Sequence, residues 1–288
     1  MACRLLGCAL LAATAAAAAP PGKAHVRASL VADVASVRPG EPFHVGLRLE
    51  MDPAWHTYWR NPGDAGLPTR ITWTLPGGLA AGPIEWPYPS RFSQGPVVSY
   101  GYEDEVLLLV RMTPAASLPT GSIAIAGRAD WLECREICLP GRQSLSLALP
   151  VSAERPRPSP QAGLFRDARA RLPVEPADWS AEAEVAGEGV VLLLRPPRTV
   201  GPLRSAYFFP EERKRLDHAA PQTLESAGIS YRLRLTPDPN APRPLPELPG
   251  VLVVQDGSGA PRALRLELRT GSASRRTRPA GSPPAKEE

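Results

Sequence analysis

The chain has 288 residues, 43% hydrophobic and 22% charged, the balance of a cored globular protein with room for about two domains. Its 36 prolines, more than twice the usual ~5% share, exclude long uninterrupted helices, because each removes a backbone donor and clashes with the preceding turn. The net charge is +4, but 33 cations are interleaved with 29 anions, which lacks the cationic face or stripe that nucleic acid requires.

Residues 1–19 carry Arg4, an apolar run from Leu5 to Ala19 and the small residues Ala16 to Ala18, the build of a secretory signal peptide. Leu5-Leu6-Gly7-Cys8 resembles a lipoprotein cleavage box but sits too early to have an apolar stretch before it. No later stretch reaches the ~18 apolar residues that span a bilayer. The expectation is a soluble protein exported to the periplasm, with no transmembrane span once the signal is removed. Cys3 and Cys8 leave with that signal, so Cys134 and Cys138 remain, and in an oxidising compartment they meet each other first.

From residue 25 to 152 the pattern is that of a β-sandwich. Val45, Leu47, Leu49 and Met51 alternate, as do Val106, Leu108, Val110 and Met112; Ile123 and Ile125 begin another run, and Leu145 to Val151 a fourth. Turns are expected at Arg38-Pro39-Gly40, Asn61-Pro62-Gly63 and Leu75-Pro76-Gly77-Gly78. Residues 153–174 read as a proline-rich linker, semi-rigid and extended, followed by a helix over Gln161–Leu172 that Pro173 ends. A second β-sandwich is expected over 175–270, with strands at Val190–Leu194, at Ile229, Tyr231, Leu233 and Leu235, and a hairpin joining Val251–Val254 to Leu264–Leu268. Residues 271–288 are polar and expected to be disordered. The fold class is therefore all-β, two sandwiches in tandem.

Cysteines four apart on a straight strand lie ~13 Å apart, whereas a disulfide needs Cα atoms within ~7 Å, so the chain must turn back between Cys134 and Cys138. A hairpin of Ile123–Leu132 with Ser144–Val151 would do this and set the pair at a surface bend. Three readings stay open. Closing so small a loop removes little unfolded-state entropy, which makes a structural staple weak and an exchangeable bond plausible. Arg135 favours a thiolate at Cys134, while Glu133 and Glu136 oppose it. Two thiolates could instead hold Cu(I), with His56 and Met51 or Met112 completing the site. His25, His44, His56 and His218 show no metal-ligand spacing, and a lone histidine in a strand is more often structural. No G-x-S-x-G, phosphate loop or H-E-x-x-H occurs, and Glu103-Asp104-Glu105 reads as a solvated turn. Trp55-His56-Thr57-Tyr58-Trp59 is either core packing or an apolar wall beside the thiols.

Trp55 to Pro68, Ile84-Glu85-Trp86-Pro87, Tyr100-Gly101-Tyr102-Glu103, Asp130 to Cys134 and Cys138-Leu139-Pro140-Gly141 together resemble the periplasmic N-terminal region of DsbD-type and ScsB-type thiol:disulfide interchange proteins. Ala206-Tyr207-Phe208-Phe209-Pro210 and Asp217 to Gln222 extend the resemblance to about 25–270. It implies an immunoglobulin-like domain with a redox-active pair, Cys134 and Cys138, that needs no cofactor or metal. Cys138 would form the mixed disulfide and Cys134 would resolve it. The segment Pro89 to Gly95 would be a cap over the pair, with Phe92 as its lid and Tyr58 as a neighbour. Implied partners are a membrane-embedded thiol donor protein and periplasmic disulfide proteins. The Cys-x3-Cys spacing follows the ScsB-like branch, and the membrane helices and thioredoxin-like domain of full DsbD are not found in this sequence, so either a separate protein supplies the electrons or the module has kept the fold and taken another role.

Overall fold

The computed structural model describes residues 24–243, 245 and 247–269; the expected signal at 1–19 and tail at 271–288 lie outside the described residues. Ten strands precede the helix: β1 (Val26–Ala32), β2 (Phe43–Met51), β3 (His56–Gly63), β4 (Arg70–Thr74), β5 (Leu79–Glu85), β6 (Ser90–Gln94), β7 (Val97–Glu103), β8 (Glu105–Pro114), β9 (Gly121–Cys134) and β10 (Cys138–Val151). They form a four-stranded sheet, β1-β2-β8-β5, and a six-stranded one, β10-β9-β3-β7-β6, with β4 also paired to β9. Leu47, Leu49, Leu108 and Val110 of the first sheet meet Trp59, Tyr100, Ile125 and Ala129 of the second in one buried core. The period-two pattern read from the sequence is this inward face.

After the helix α1 (Ala162–Ala170) come β11 (Ser180–Ala186), β12 (Gly189–Arg195), β13 (Ser205–Pro210), β14 (Thr223–Ala227), β15 (Ser230–Leu235), β16 (Glu247–Gln255) and β17 (Arg262–Arg269). These build sheets β11-β12-β15-β14 and β13-β16-β17, antiparallel throughout, around a second core that includes Leu192, Leu233, Phe208, Leu252 and Leu266. The described residues form an all-β, immunoglobulin-like architecture with one short helix.

Two details depart from the sequence reading, and a third adds to it. Asn61-Pro62-Gly63 does not turn; it ends β3 in an irregular stretch where the pairing with β7 shifts register, and the turn follows at Asp64. Ile229 is not part of the alternating strand but sits at the β14–β15 bend, 88% exposed. The semi-rigid linker is also tied to the first sandwich: Ala35 N donates to Arg157 O at 2.8 Å and Ser159 N to Asp33 O at 2.9 Å.

Those bonds lay α1 across β8. Phe165 and Ala168 bury themselves against Leu107 and Leu109, the residues between the alternating core positions, so the unbroken run Val106 to Val110 is covered on both faces. The run Val251–Val254 has the same cause: Leu252 and Val254 face the second core, while Val251 and partly buried Val253 pack into the first. Continuous apolar strands mark sheets with no wet side.

Asp33 pins the helix. It accepts from His44 N at 2.9 Å and from Arg169 at 2.5 Å. Burial alone would raise its carboxyl, but the bonds from His44 and Arg169 outweigh that and hold it below the usual value. Its contribution is therefore present above the ordinary carboxylate range and lost as pH falls through the lowered value. Replacing Phe165 by Ala should cost about 3–5 kcal/mol of stability, measured by urea unfolding. Asp33→Asn should flatten the acid limb of the stability–pH curve.

Candidate functional site

The site is built on the β9–β10 hairpin. Antiparallel pairing runs without a break from Val151 opposite Gly121 to Cys138 opposite Cys134, so the two cysteines face each other at its closed end, next to the turn. Their sulfurs are bonded, with Cα atoms 4.2 Å apart. The connection is the exposed tripeptide Arg135-Glu136-Ile137, closed by Arg135 N donating to Ile137 O at 3.2 Å. The hairpin expected from the sequence is present, and the bend sits at the surface.

Local packing explains the flanking sequence. Gly141 lies opposite Trp131, and a Cβ there would fall 2.2 Å from the indole, so the ring needs that glycine. The indole Nε1 donates to Glu133 Oε2 at 3.0 Å, and Glu133 Oε1 accepts from His25 N at 3.0 Å. Glu133 is thus committed on the strand face opposite to Cys134. Arg135 pairs with Glu136 at 3.6 Å, an exposed contact of little energetic weight.

The two sulfurs differ in access. Cys134 is 2% exposed, whereas Cys138 is exposed. His56 of β3 lies in register with Cys134, and Tyr58, two residues on, shares its face. The Tyr58 hydroxyl lies 3.6 Å from Cys138 Sγ. Phe92 stacks on His56 with ring centroids 5.0 Å apart, and His56 meets Tyr58 edge-on at 5.2 Å. Phe92 thus approaches the pair by way of His56, from the hairpin of β6 and β7. Of the aromatic segment, His56 and Tyr58 form the wall beside the sulfurs, while Trp59 belongs to the core and Trp55 stacks on His25 at 3.7 Å.

Burial holds the His56 imidazole below its ordinary value, so near neutral pH it is an uncharged ring. Burial pushes the Tyr58 phenol up, and the hydroxyl of Ser99 works weakly against this. Tyr58 therefore stays a protonated donor to whatever Cys138 presents, disulfide sulfur or thiolate.

The candidate copper set does not assemble. Met51 and Thr57 lie on the core face of their strands, where Thr57 Oγ1 donates to Met51 Sδ at 3.5 Å, and Met112 is fully buried on β8 in the other sheet. Among the described residues no three His, Cys, Asp or Glu side chains are grouped to hold a metal ion. His25 and His44 are engaged with carboxylates, and His218 is buried with its Nδ1 2.9 Å from Asp64.

The sequence reading placed His56 in a segment that could wall the thiols, but did not separate it and Tyr58 from Trp55 and Trp59; its position two before Tyr58 on one strand puts both on one face. The same reading missed Gly66, whose place against Tyr58 depends on a loop with no periodic signal.

Residues 26–150 match the family model described as thiol:disulfide interchange protein DsbD, N-terminal. The chain is similar in fold to the N-terminal periplasmic domain of ScsB from Proteus mirabilis, at 19% identity over 88% of this chain and 97% of that one, with a TM-score of 0.64. The periplasmic chaperone SfaE follows at 10% identity, 84% and 98% coverage and a TM-score of 0.21, and the E. coli chaperone DraB at 11%, 84%, 97% and 0.18; neither bears on the argument. No curated protein matches the chain.

Replacing Tyr58 by Phe removes the donor beside Cys138 and keeps the ring. In the reduced protein, alkylation of Cys138 by iodoacetamide at neutral pH should slow by roughly tenfold, since a hydrogen bond to a charged sulfur is lost.

Proposed function

We propose, for a chain whose residues 26–150 form a DsbD/ScsB-type N-terminal domain, that Cys134 and Cys138 carry electrons between a membrane-embedded thiol donor and disulfide-bearing proteins of the periplasm. The observation that carries this reading is the unequal exposure of the two cysteines, Cys134 buried and Cys138 exposed. A partner's sulfur can reach Cys138 alone.

The chemistry then runs in two displacements. In the reduced form the Cys138 thiolate attacks one sulfur of the partner's disulfide, a new S–S bond forms, and one partner thiolate leaves. The Cys134 thiol loses its proton and its sulfur attacks Cys138, re-forming the internal bond and expelling the second partner thiolate. Two electrons pass to the partner, and its two thiolates take up protons according to their acidity. Recharging runs the same steps backwards, with a donor dithiol attacking Cys138 and becoming a disulfide itself. No cofactor is needed.

The surrounding rings have a role in this scheme. Tyr58 donates a hydrogen bond to the sulfur that must bear charge as nucleophile and leaving group, and charge-assisted bonds of this kind are about twice as strong as neutral ones. Phe92 and His56 keep water and small oxidants away from the buried side of the pair. The hairpin of β6 and β7 acts as the cap, and a protein partner displaces it on docking.

Expressed in its native envelope, Cys134→Ala should accumulate mixed disulfides through Cys138, while Cys138→Ala should accumulate none. The disulfide potential should lie well above the roughly −300 mV below which structural bridges fall. A bond inert to glutathione-range buffers, with no trapped partner, would mean a static staple instead.

A further inference from the structure

The exchange steps engage sulfurs in the first half of the chain, yet the second half reaches the same place by a series of short contacts. The Tyr58 ring, whose hydroxyl meets Cys138, is backed by Gly66: a Cβ at that position would lie 2.2 Å from the ring, and its φ of +103° is glycine territory. Gly66 belongs to the loop that follows β3. Arg213 donates to the Gly66 carbonyl at 2.6 Å, and His218 Nδ1 donates to Asp64 Oδ1 at 2.9 Å, both from the segment between β13 and β14. On the same segment Glu211 pairs with Arg60 at 3.0 Å, and at the end of β13 the Pro210 carbonyl accepts from the Asn61 amide at 2.7 Å.

The cap is tied to the same point. Asp64 Oδ2 accepts from Val98 N at 2.8 Å, and Asp64 N donates to Val98 O at 2.8 Å, which fixes the start of β7. Arg91 of β6 donates to His218 O at 3.4 Å, and the Tyr100 and Tyr207 hydroxyls meet at 3.2 Å. The Tyr58 ring beside Cys138 and the β6–β7 hairpin, whose Phe92 covers His56, thus converge on Arg213 and His218.

We infer that the segment Glu211–His218 of the second sandwich is a brace that holds Tyr58 and the cap hairpin against the Cys134–Cys138 bond, so that its docking sets how fast the bond is attacked. The inference deepens the proposed exchange and takes its biological meaning from it. Arg213 and His218 are positioning residues; neither touches a sulfur. The apolar contacts beneath, Phe209 and Val251 in the first core, hold the two sandwiches together as bodies. What the polar contacts control is the rim. Asp64 and Leu67 are exposed, and a loop of this kind opens locally at far less cost than the core. His218 gives the brace its all-or-none character. It is 4% exposed, and its Nε2 has no hydrogen-bond partner among the described residues, so losing Asp64 would strand a buried imidazole.

The test is the rate at which dithiothreitol reduces the bond in the full chain under native conditions, alongside urea unfolding. Arg213→Ala removes an exposed cation and should leave the fold intact while speeding reduction several-fold. His218→Ala should speed it by roughly tenfold. His218→Asn, whose amide can donate to Asp64 from nearly the Nδ1 position, should return the rate close to the parent's. Contacts that merely joined the sandwiches would lower stability and leave the native reduction rate unchanged. Parental rates in Arg213→Ala and in a folded His218→Ala would overturn the brace; if His218→Ala does not fold, Arg213→Ala decides. Dithiothreitol reads only access to the bond. A parent protein reduced by it but never exchanging with protein partners would overturn the proposed function and leave the brace standing.

Discussion

The pairing of Cys138 opposite Cys134 at the end of the β9–β10 ladder is the contact on which the rest of the site depends. Each of the fourteen residue pairs of that ladder fixes the position of the next. A slip of one residue would turn every side chain to the other face and separate the sulfurs. The long hairpin is thus a ruler whose last graduation is the disulfide. Trp131 seated on Gly141 locks the register three pairs before the end, and the Trp131–Glu133–His25 chain of hydrogen bonds fastens the same stretch to the start of β1.

A precise pair of thiols also needs a platform that does not move. The first sandwich is held by more than its own two sheets. The helix lies over Leu107 and Leu109 on one side, and Phe209 and Val251 of the second sandwich reach the core from the other. Burying a side chain such as Phe165 or Phe209 is worth about 2–3 kcal/mol. The polar contacts at the rim are individually weaker and open more readily. The molecule therefore divides into a stiff interior, which carries the hairpin, and a softer margin of β6, the bend at Gly95 and the loop after β3, where a partner must approach.

Much of this is legible in the amino-acid order because it rests on short periods. The alternation of Val45 to Met51 and of Leu145 to Val151 announces the strands, and the hairpin follows from the need to bring Cys134 and Cys138 within bonding distance. The exceptions have physical causes. Asn61-Pro62-Gly63 carries turn chemistry, yet tertiary contacts draw it into an irregular strand end, with the Asn61 side chain buried and bonded to Pro210 and Glu212. Ile229 continues an alternation past the point where Gly228, with φ +68°, has already turned the chain. Helix α1 shows its apolar stripe, but which surface receives it depends on Leu107 and Leu109 sixty residues away, and no local pattern encodes that. The contacts of Arg213 and His218 are of the same long-range kind.

The unequal access of the two sulfurs then follows from strand order rather than from any local feature of Cys-Arg-Glu-Ile-Cys. Paired residues on neighbouring antiparallel strands project to the same face, so Cys134 and Cys138 begin with equal prospects. Strand β9 is interior: β3 lies along its other side and sets His56 against Cys134. Among the described residues, strand β10 is the edge of the sheet, with no further strand to cover Cys138. An edge strand is ordinarily a hazard, because its free backbone groups invite foreign strands. Here the edge carries prolines at 140 and 150 and the charged Arg142, features that discourage strand addition, while its terminal residue is the sulfur. Approach along that edge is confined to its end. In the proposed exchange, the division between an attacking and a resolving thiol is therefore a property of topology: the sulfur on the edge meets partners, and the one beside β3 waits beneath His56 to release them.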